Sequence, residues 1–129
     1  MNDLLKELTS EARILTKADV YKVARESRFL TVRLPTEAML VVGIGVLAVV
    51  TIPTGRFGRI EDVVVRDRYR SRGIGKGIMG MLIEEGRNLG LLRLDLTSNP
   101  RRETANRLYQ NLGFSRIRTN MYRLQLRTR

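Results

Sequence analysis

The sequence predicts one mixed α/β domain spanning residues 1–129, and three observations predict it. Valine-rich apolar runs of strand character alternate with stretches whose apolar residues recur at helical spacing. Glycine and proline punctuate the changes, at Pro53, Gly55, Gly90, Pro100 and Gly113. A chain of 129 residues that is 43% hydrophobic can build one sizeable core but not two ordinary ones.

Element by element, residues 2–12 form a short amphipathic helix with Leu4, Leu5, Leu8 and Ala12 on one face. Ala12 to Leu15 suits a small strand, and Thr16 is an N-cap for a helix from Lys17 to Ser27. Arg28 to Glu37, interrupted by Pro35, shows no separate strand before the apolar run. Ala38 to Ile52 is strand material, closed by a turn at Pro53, Thr54 and Gly55. Arg59 to Val65 is again a strand, and the consecutive Val63, Val64 and Val65 suit one covered on both faces. Ile74 to Leu89 is a helix with Ile74, Ile78, Met81 and Leu82 in register, ending near Gly90. Leu91 to Thr97 is a strand broken by Asn99 and Pro100, and Arg102 to Leu112 is a helix capped by Gly113. Phe114 to Arg118 and Met121 to Leu126 make a final hairpin.

Composition excludes whole chemistries. With no cysteine and no histidine there is no disulfide framework, thiolate or imidazole metal site, or histidine-based triad. No metal is expected, and chemistry falls to carboxylates, Tyr, Ser, Thr, Arg, Lys and backbone amides. The first 30 residues lack the unbroken apolar stretch of a signal peptide. The run from Ala38 to Ile52, at 15 residues, is shorter than the ~18–20 that cross a bilayer. No membrane association and a cytoplasmic location are therefore expected.

The net charge of +11 lies almost wholly in the second half. Residues 1–64 carry 9 basic and 8 acidic side chains, residues 65–129 carry 15 and 5, and 20 of the 24 basic residues are arginine. A polyanion on the C-terminal half is the natural partner, whether nucleic acid, a phosphorylated cofactor or an acidic surface.

The informative block runs from Arg59 to Gly77. A buried strand enters a loop bearing Arg66, Arg68, Arg70 and Arg72, and Gly73 and Gly75 open a helix. Free N–H groups at a helix start, with arginines beside them, cradle a phosphate. A Walker loop fails, because Arg70 stands where its first glycine belongs and Gly77 where its hydroxyl belongs. A dinucleotide fingerprint fits Gly73 and Gly75, with Asp95 downstream, but Ile78 takes the place of its third glycine. The plainer reading is that the glycines cap and pack the helix behind a solvated arginine run.

Arg70, Gly73 and Gly75 after a valine-rich strand resemble the acetyl-CoA signature of the GNAT superfamily of N-acetyltransferases. The tract from Ala105 through Asn106, Tyr109 and Gly113 to Phe114 resembles its second motif, and Arg13 to Asp19 its opening strand and turn. The resemblance covers residues 11–129. Within the superfamily, Ile60 to Val65 looks most like the glucosamine-6-phosphate N-acetyltransferases. It implies a single domain with a mixed, mostly antiparallel central sheet flanked by helices. Its cosubstrate would be acetyl-CoA and its acceptor a small-molecule or peptide amine, with a homodimer as the superfamily's habit.

Residue by residue, the resemblance implies that the backbone of Val63, Val64 and Val65 meets the pantetheine arm and polarises the thioester. Arg70, Ser71, Arg72, Gly73, Ile74, Gly75 and Lys76 would hold the pyrophosphate, and Asn106 would touch the pantetheine or adenosine. Tyr109 would face the coenzyme sulfur and protonate the departing thiolate. By spacing alone Tyr109 reads first as a core residue of its helix, at helical spacing from Ala105 and Leu112, and the resemblance reverses that reading. Without histidine the base must be a carboxylate acting through water, unless the amine arrives neutral. Strict alternation puts Glu61 on the face of Val63 and Val65, so Glu61 is the candidate base, and Glu61 and Asp62 the candidate acceptor-binding pair. The plainer reading of the pair has one carboxylate capping a loop or bound to Arg59. Two departures stand out: Arg102 occupies the position seven before the tyrosine where many relatives have Asn, and the region between residues 28 and 58 is abbreviated. The rival functions are a basic nucleic-acid-binding module, disfavoured by only 7 aromatic residues, and a relative that binds acyl-CoA without turnover.

Overall fold

The computed structural model describes residues 27–33 and 40–128. The elements expected before Ser27 lie outside the described residues, and Ser27 itself opens a strand. In chain order the elements are β1 (Ser27–Arg33), β2 (Val41–Ile52), β3 (Gly55–Val65), a 3₁₀ turn at Asp67–Tyr69, α1 (Ile74–Asn88), β4 (Leu94–Asp95) and α2 (Glu103–Asn111). The four strands form one sheet in the order β1-β2-β3-β4, antiparallel at β1/β2 and β2/β3 and parallel at β3/β4. The mixed, mostly antiparallel α/β architecture expected of the sequence is what the chain adopts.

The chain separates into two compact units, one ending at Leu96 and one beginning at Thr97. In the first, β2 is the core strand and is buried from Val41 to Leu47. Its length of apolar, β-branched sequence suits a strand paired on both edges. Helix α1 lies on one face of the sheet because β2 has no side chain at two points beneath it. A Cβ on Gly43 would lie 2.8 Å from Ile78, and one on Gly45 would lie 2.6 Å from Ile78 and 3.0 Å from Leu82. Ile74, Ile78 and Leu82 follow at intervals of four along this seam, and Ile78 and Leu82 are buried. Burial of each of these two side chains contributes ~1.5–3 kcal/mol. At the far end α1 closes in a Schellman turn. Gly90 N–H donates to Arg87 C=O and Leu91 N–H to Gly86 C=O, with Gly90 at φ +67°.

Three expectations need correction. The stretch Arg28 to Glu37 contains a separate strand, β1, paired along β2 from Ser27↔Ala48 to Arg33↔Val41. Its charged ends and Pro35 obscured a seven-residue run that β2 holds in place by main-chain bonds. β4 is two residues long rather than seven, because only Gly58↔Leu94 and Arg59↔Asp95 pair before β3 and β4 part. Residues 114–128 contain no strand, although Tyr122, Leu124 and Leu126 alternate as a strand would. Alternation supplies a preference only; a strand also needs a hydrogen-bonding neighbour.

The second unit is organised around α2. It too ends in a Schellman turn, with Gly113 N–H donating to Gln110 C=O and Phe114 N–H to Tyr109 C=O. Gly113 at φ +101° takes the conformation that a side chain resists. The Phe114 ring meets Tyr109 edge to face with centroids 6.3 Å apart, the apolar clasp that accompanies this motif.

Candidate active site

The site begins with an irregularity in β3. Pairing with β2 runs regularly through Leu47↔Ile60 and Val46↔Glu61 and resumes at Ile44↔Val64 and Gly43↔Val65. Gly45 therefore faces two residues, Asp62 and Val63: a β-bulge, with Asp62 in the left-handed region at φ +51°. The bulge inverts the alternation. Glu61 shares the face of its partner Val46, whereas Val63 approaches the α1 side, with a methyl 3.6 Å from where a Gly45 Cβ would be. The expected common face of Glu61 and Val63 does not exist. Instead the Glu61 carboxylate accepts a hydrogen bond from Arg59 Nε at 3.2 Å.

Beyond the bulge the main chain offers an edge. Arg66 N–H donates to Val42 C=O, so Gly43 and Val65 form a non-hydrogen-bonded pair. The N–H and C=O of Val65 then point to the edge away from β2. Since β4 pairs only as far as Arg59, that edge has no sheet partner from Ile60 onward among the described residues. Val64 is different. It sits in the hydrogen-bonded pair with Ile44 and its side chain is buried, so its contribution is to the sheet and not to this edge.

The loop then delivers the chain to α1. Ser71 at φ +60° and Gly73 at φ +80° reverse its direction, and Gly73 is the N-cap residue. The first helical bond of α1 is Gly77 N–H to Gly73 C=O at 3.0 Å, which leaves Ile74, Gly75 and Lys76 with first-turn N–H groups. No side chain caps them. Among the described residues, no atom beyond the chain neighbours lies within 4 Å of a Cβ placed on Gly73, and one on Gly75 would meet only Val65 at 3.8 Å. Backbone geometry explains Gly73, but neither geometry nor packing explains Gly75. Open space above donating amides is what an anion needs.

Side chains expected at the anion are divided. Arg70 Nε donates to Val65 C=O at 3.0 Å and its guanidinium pairs with Asp67. Arg66 donates to Val41 C=O at 2.9 and 3.3 Å. Arg72 lies over the Tyr69 ring, 5.3 Å from its centroid. From sequence Arg66 is one of the loop's four arginines at alternate positions, with no separate role, and Tyr69 carries no signal of its own. In the second unit the Asn106 side-chain amide donates to Asn99 C=O at 3.0 Å, fastening α2 to the turn before it. Tyr109 is half-buried against Phe114. No cluster of carboxylates able to hold a metal occurs among the described residues, and none of their helices is long and apolar enough to cross a membrane.

The sequence model of the acetyltransferase (GNAT) family matches residues 3–114. The chain belongs to the GNAT acetyltransferase family. It is similar to an acetyltransferase of Trypanosoma brucei, with 32% identity over 96% of this chain and 89% of that one, at a TM-score of 0.75. A glucosamine-6-phosphate N-acetyltransferase of Arabidopsis thaliana shares the fold at 19% identity and a TM-score of 0.81, over 96% of this chain and 88% of that one. An aminoglycoside N-acetyltransferase in complex with CoA does so at 18% identity and a TM-score of 0.73, over 95% and 89%. Membership of the GNAT family makes acetyl transfer the class of activity.

Proposed function

We propose that this GNAT protein is an acetyl-CoA-dependent N-acetyltransferase that moves the acetyl group directly to a primary amine. The observation that carries the proposal is the run of first-turn amides at Ile74, Gly75 and Lys76, with no side-chain cap at Gly73 and no described atom within 4 Å of a Cβ placed there. Coenzyme pyrophosphate would lie on these amides and those from Arg70 onward, with Arg72 supplying charge. The pantetheine amides would extend as an added strand along the β3 edge that has no strand beside it among the described residues, bonding to Val63 and Val65.

In the transfer step the amine nitrogen attacks the thioester carbon, a C–N bond forms and the C–S bond breaks. The donor aimed at the carbonyl matters most: an N–H of Val63 or Val65 would stabilise the oxyanion that develops there. The amine must lose a proton and the thiolate must gain one. Glu61 and Asp62 provide negative charge for a cationic acceptor, and a carboxylate takes the proton through water. Tyr109, assigned through its motif, is the donor to the thiolate; Asn106, whose amide is engaged with Asn99, acts by placing the start of α2.

A thiol-release screen with acetyl-CoA over amino sugars, polyamines, amino acids and peptide N-termini tests the activity. Release above the amine-free rate supports it. Thermal stabilisation by acetyl-CoA with no release from any amine would instead identify a binding protein without turnover. A second reading has its own observation. In the second unit Arg101, Arg102, Arg107, Arg116, Arg118, Arg123 and Arg127 are exposed, and none forms an ion pair among the described residues, whereas Arg28, Arg59, Arg70, Arg87 and Arg93 of the first unit each do. A nucleic-acid-binding module would be stabilised by oligonucleotides, with an effect that fades steeply in salt.

A further inference from the structure

We propose that Arg70 is a positioning residue, a strut that builds the anion loop from within, and that Asp67 is its seat. The inference rests on reading this loop as the coenzyme A site. Of the four arginines at alternate positions, two turn inward. Arg66 grips Val41 C=O at the start of β2, and Arg70 grips Val65 C=O at the end of β3 while pairing with Asp67. The same two residues also close the turn through the main chain, with Arg70 N–H donating to Asp67 C=O at 3.2 Å. The other two turn outward: Arg72 lies over Tyr69, and the Arg68 side chain has no hydrogen bond or ion pair among the described residues.

One guanidinium thus spans a strand end and the turn that follows it. The span fixes the path of the chain into Ser71, where φ is +60° and the amides swing toward Gly73. A planar fork is required, because Nε serves one acceptor and Nη1 the other on a single rigid plane. A lysine ammonium keeps the charge but not the fork. Asp67 gives the idea its sign. It is a carboxylate in a loop that receives a polyanion, so by Coulomb's law alone its removal strengthens binding. As the seat of the strut, its removal weakens binding.

Calorimetric titration of coenzyme A into the wild type, Asp67→Asn, Arg70→Lys and Arg72→Gln, at two salt concentrations, separates these. Asp67→Asn and Arg70→Lys are each expected to weaken binding roughly 5- to 10-fold, the worth of one ordinary intramolecular hydrogen bond. Both should keep the wild-type salt dependence, which Arg72→Gln should flatten because it removes a charge that meets the ligand. The double variant Asp67→Asn/Arg70→Lys should lose no more than either single one, since the two act as a unit. Melting temperatures of the free variants within about 2 °C of the wild type distinguish a lost strut from a lost fold. Tighter or unchanged binding by Asp67→Asn overturns the proposal. So does an Arg70→Lys variant that binds as the wild type does, which would make Arg70 a direct ligand. A wild type that fails to bind coenzyme A removes the reading of the loop itself, a different failure.

Discussion

At the scale of single residues, the glycine at 75 separates stability from binding. An alanine there has room within the chain and is a better helix former, so Gly75→Ala should leave the melting temperature unchanged or raise stability by roughly 0.5 kcal/mol. The same methyl stands over the donating amides, and the acetyl-CoA dissociation constant should rise about tenfold or more. A variant that loses stability and keeps its affinity would contradict the cradle. Asp62 carries a second test. Held at φ +51°, it should tolerate glycine, whereas Asp62→Val should cost ~1–2 kcal/mol in chemical denaturation. Tyr109→Phe keeps the ring that clasps Phe114 and removes only the phenol. Folding should persist while the acetyl-transfer rate falls ~10²-fold, and an unchanged rate would take Tyr109 out of the acid role.

At the scale of elements, the seam between β2 and α1 decides where the cradle stands. Gly45→Val would drive two methyl groups into Ile78 and Leu82, and overpacking of that kind costs ~1–3 kcal/mol. Because α1 carries the amides at its start, acetyl-CoA affinity should fall together with the denaturation midpoint, unlike the Gly75→Ala case. This scale also shows what the sequence could tell. Helix α1 was legible because its apolar residues keep a period that no neighbour alters, and its cap at Gly73 and stop at Gly90 are intrinsic to glycine. The bulge at Asp62 was not, since an added residue leaves no trace in a run of valines and acids, and it moved Glu61 to the other face. β1 was hidden by charge at both ends, Arg28 being drawn into an ion pair with Glu85 of α1.

At the scale of the whole molecule, charge and fold tell separate stories. The arginine excess predicted a polyanionic partner without choosing one, and only the paired motifs pointed to a GNAT acetyltransferase. Acetyl-CoA at ~100 times its dissociation constant should stabilise the protein by about 2.7 kcal/mol, a rise of a few degrees in the melting temperature. Adenosine alone, lacking the diphosphate, should give little. A shift obtained only with oligonucleotides would favour the nucleic-acid reading. The acceptor was not legible at any scale, because an amine is chosen by loops whose residues follow no period.

The edge of β3 beyond Arg59, which has no strand beside it among the described residues, and the start of α1 share a property with a practical consequence. Both would recognise their ligand through atoms that every amino acid possesses. An alanine scan at Val63, Val65 and Ser71 should therefore leave affinity almost unchanged, whereas Gly75→Ala, where a new methyl intrudes, and Arg72→Ala, where a charge is lost, should register. Replacing single amides by esters during chemical synthesis would expose the contacts that side-chain truncation overlooks. A drifting sequence could likewise keep this cradle while changing most of the letters that spell it.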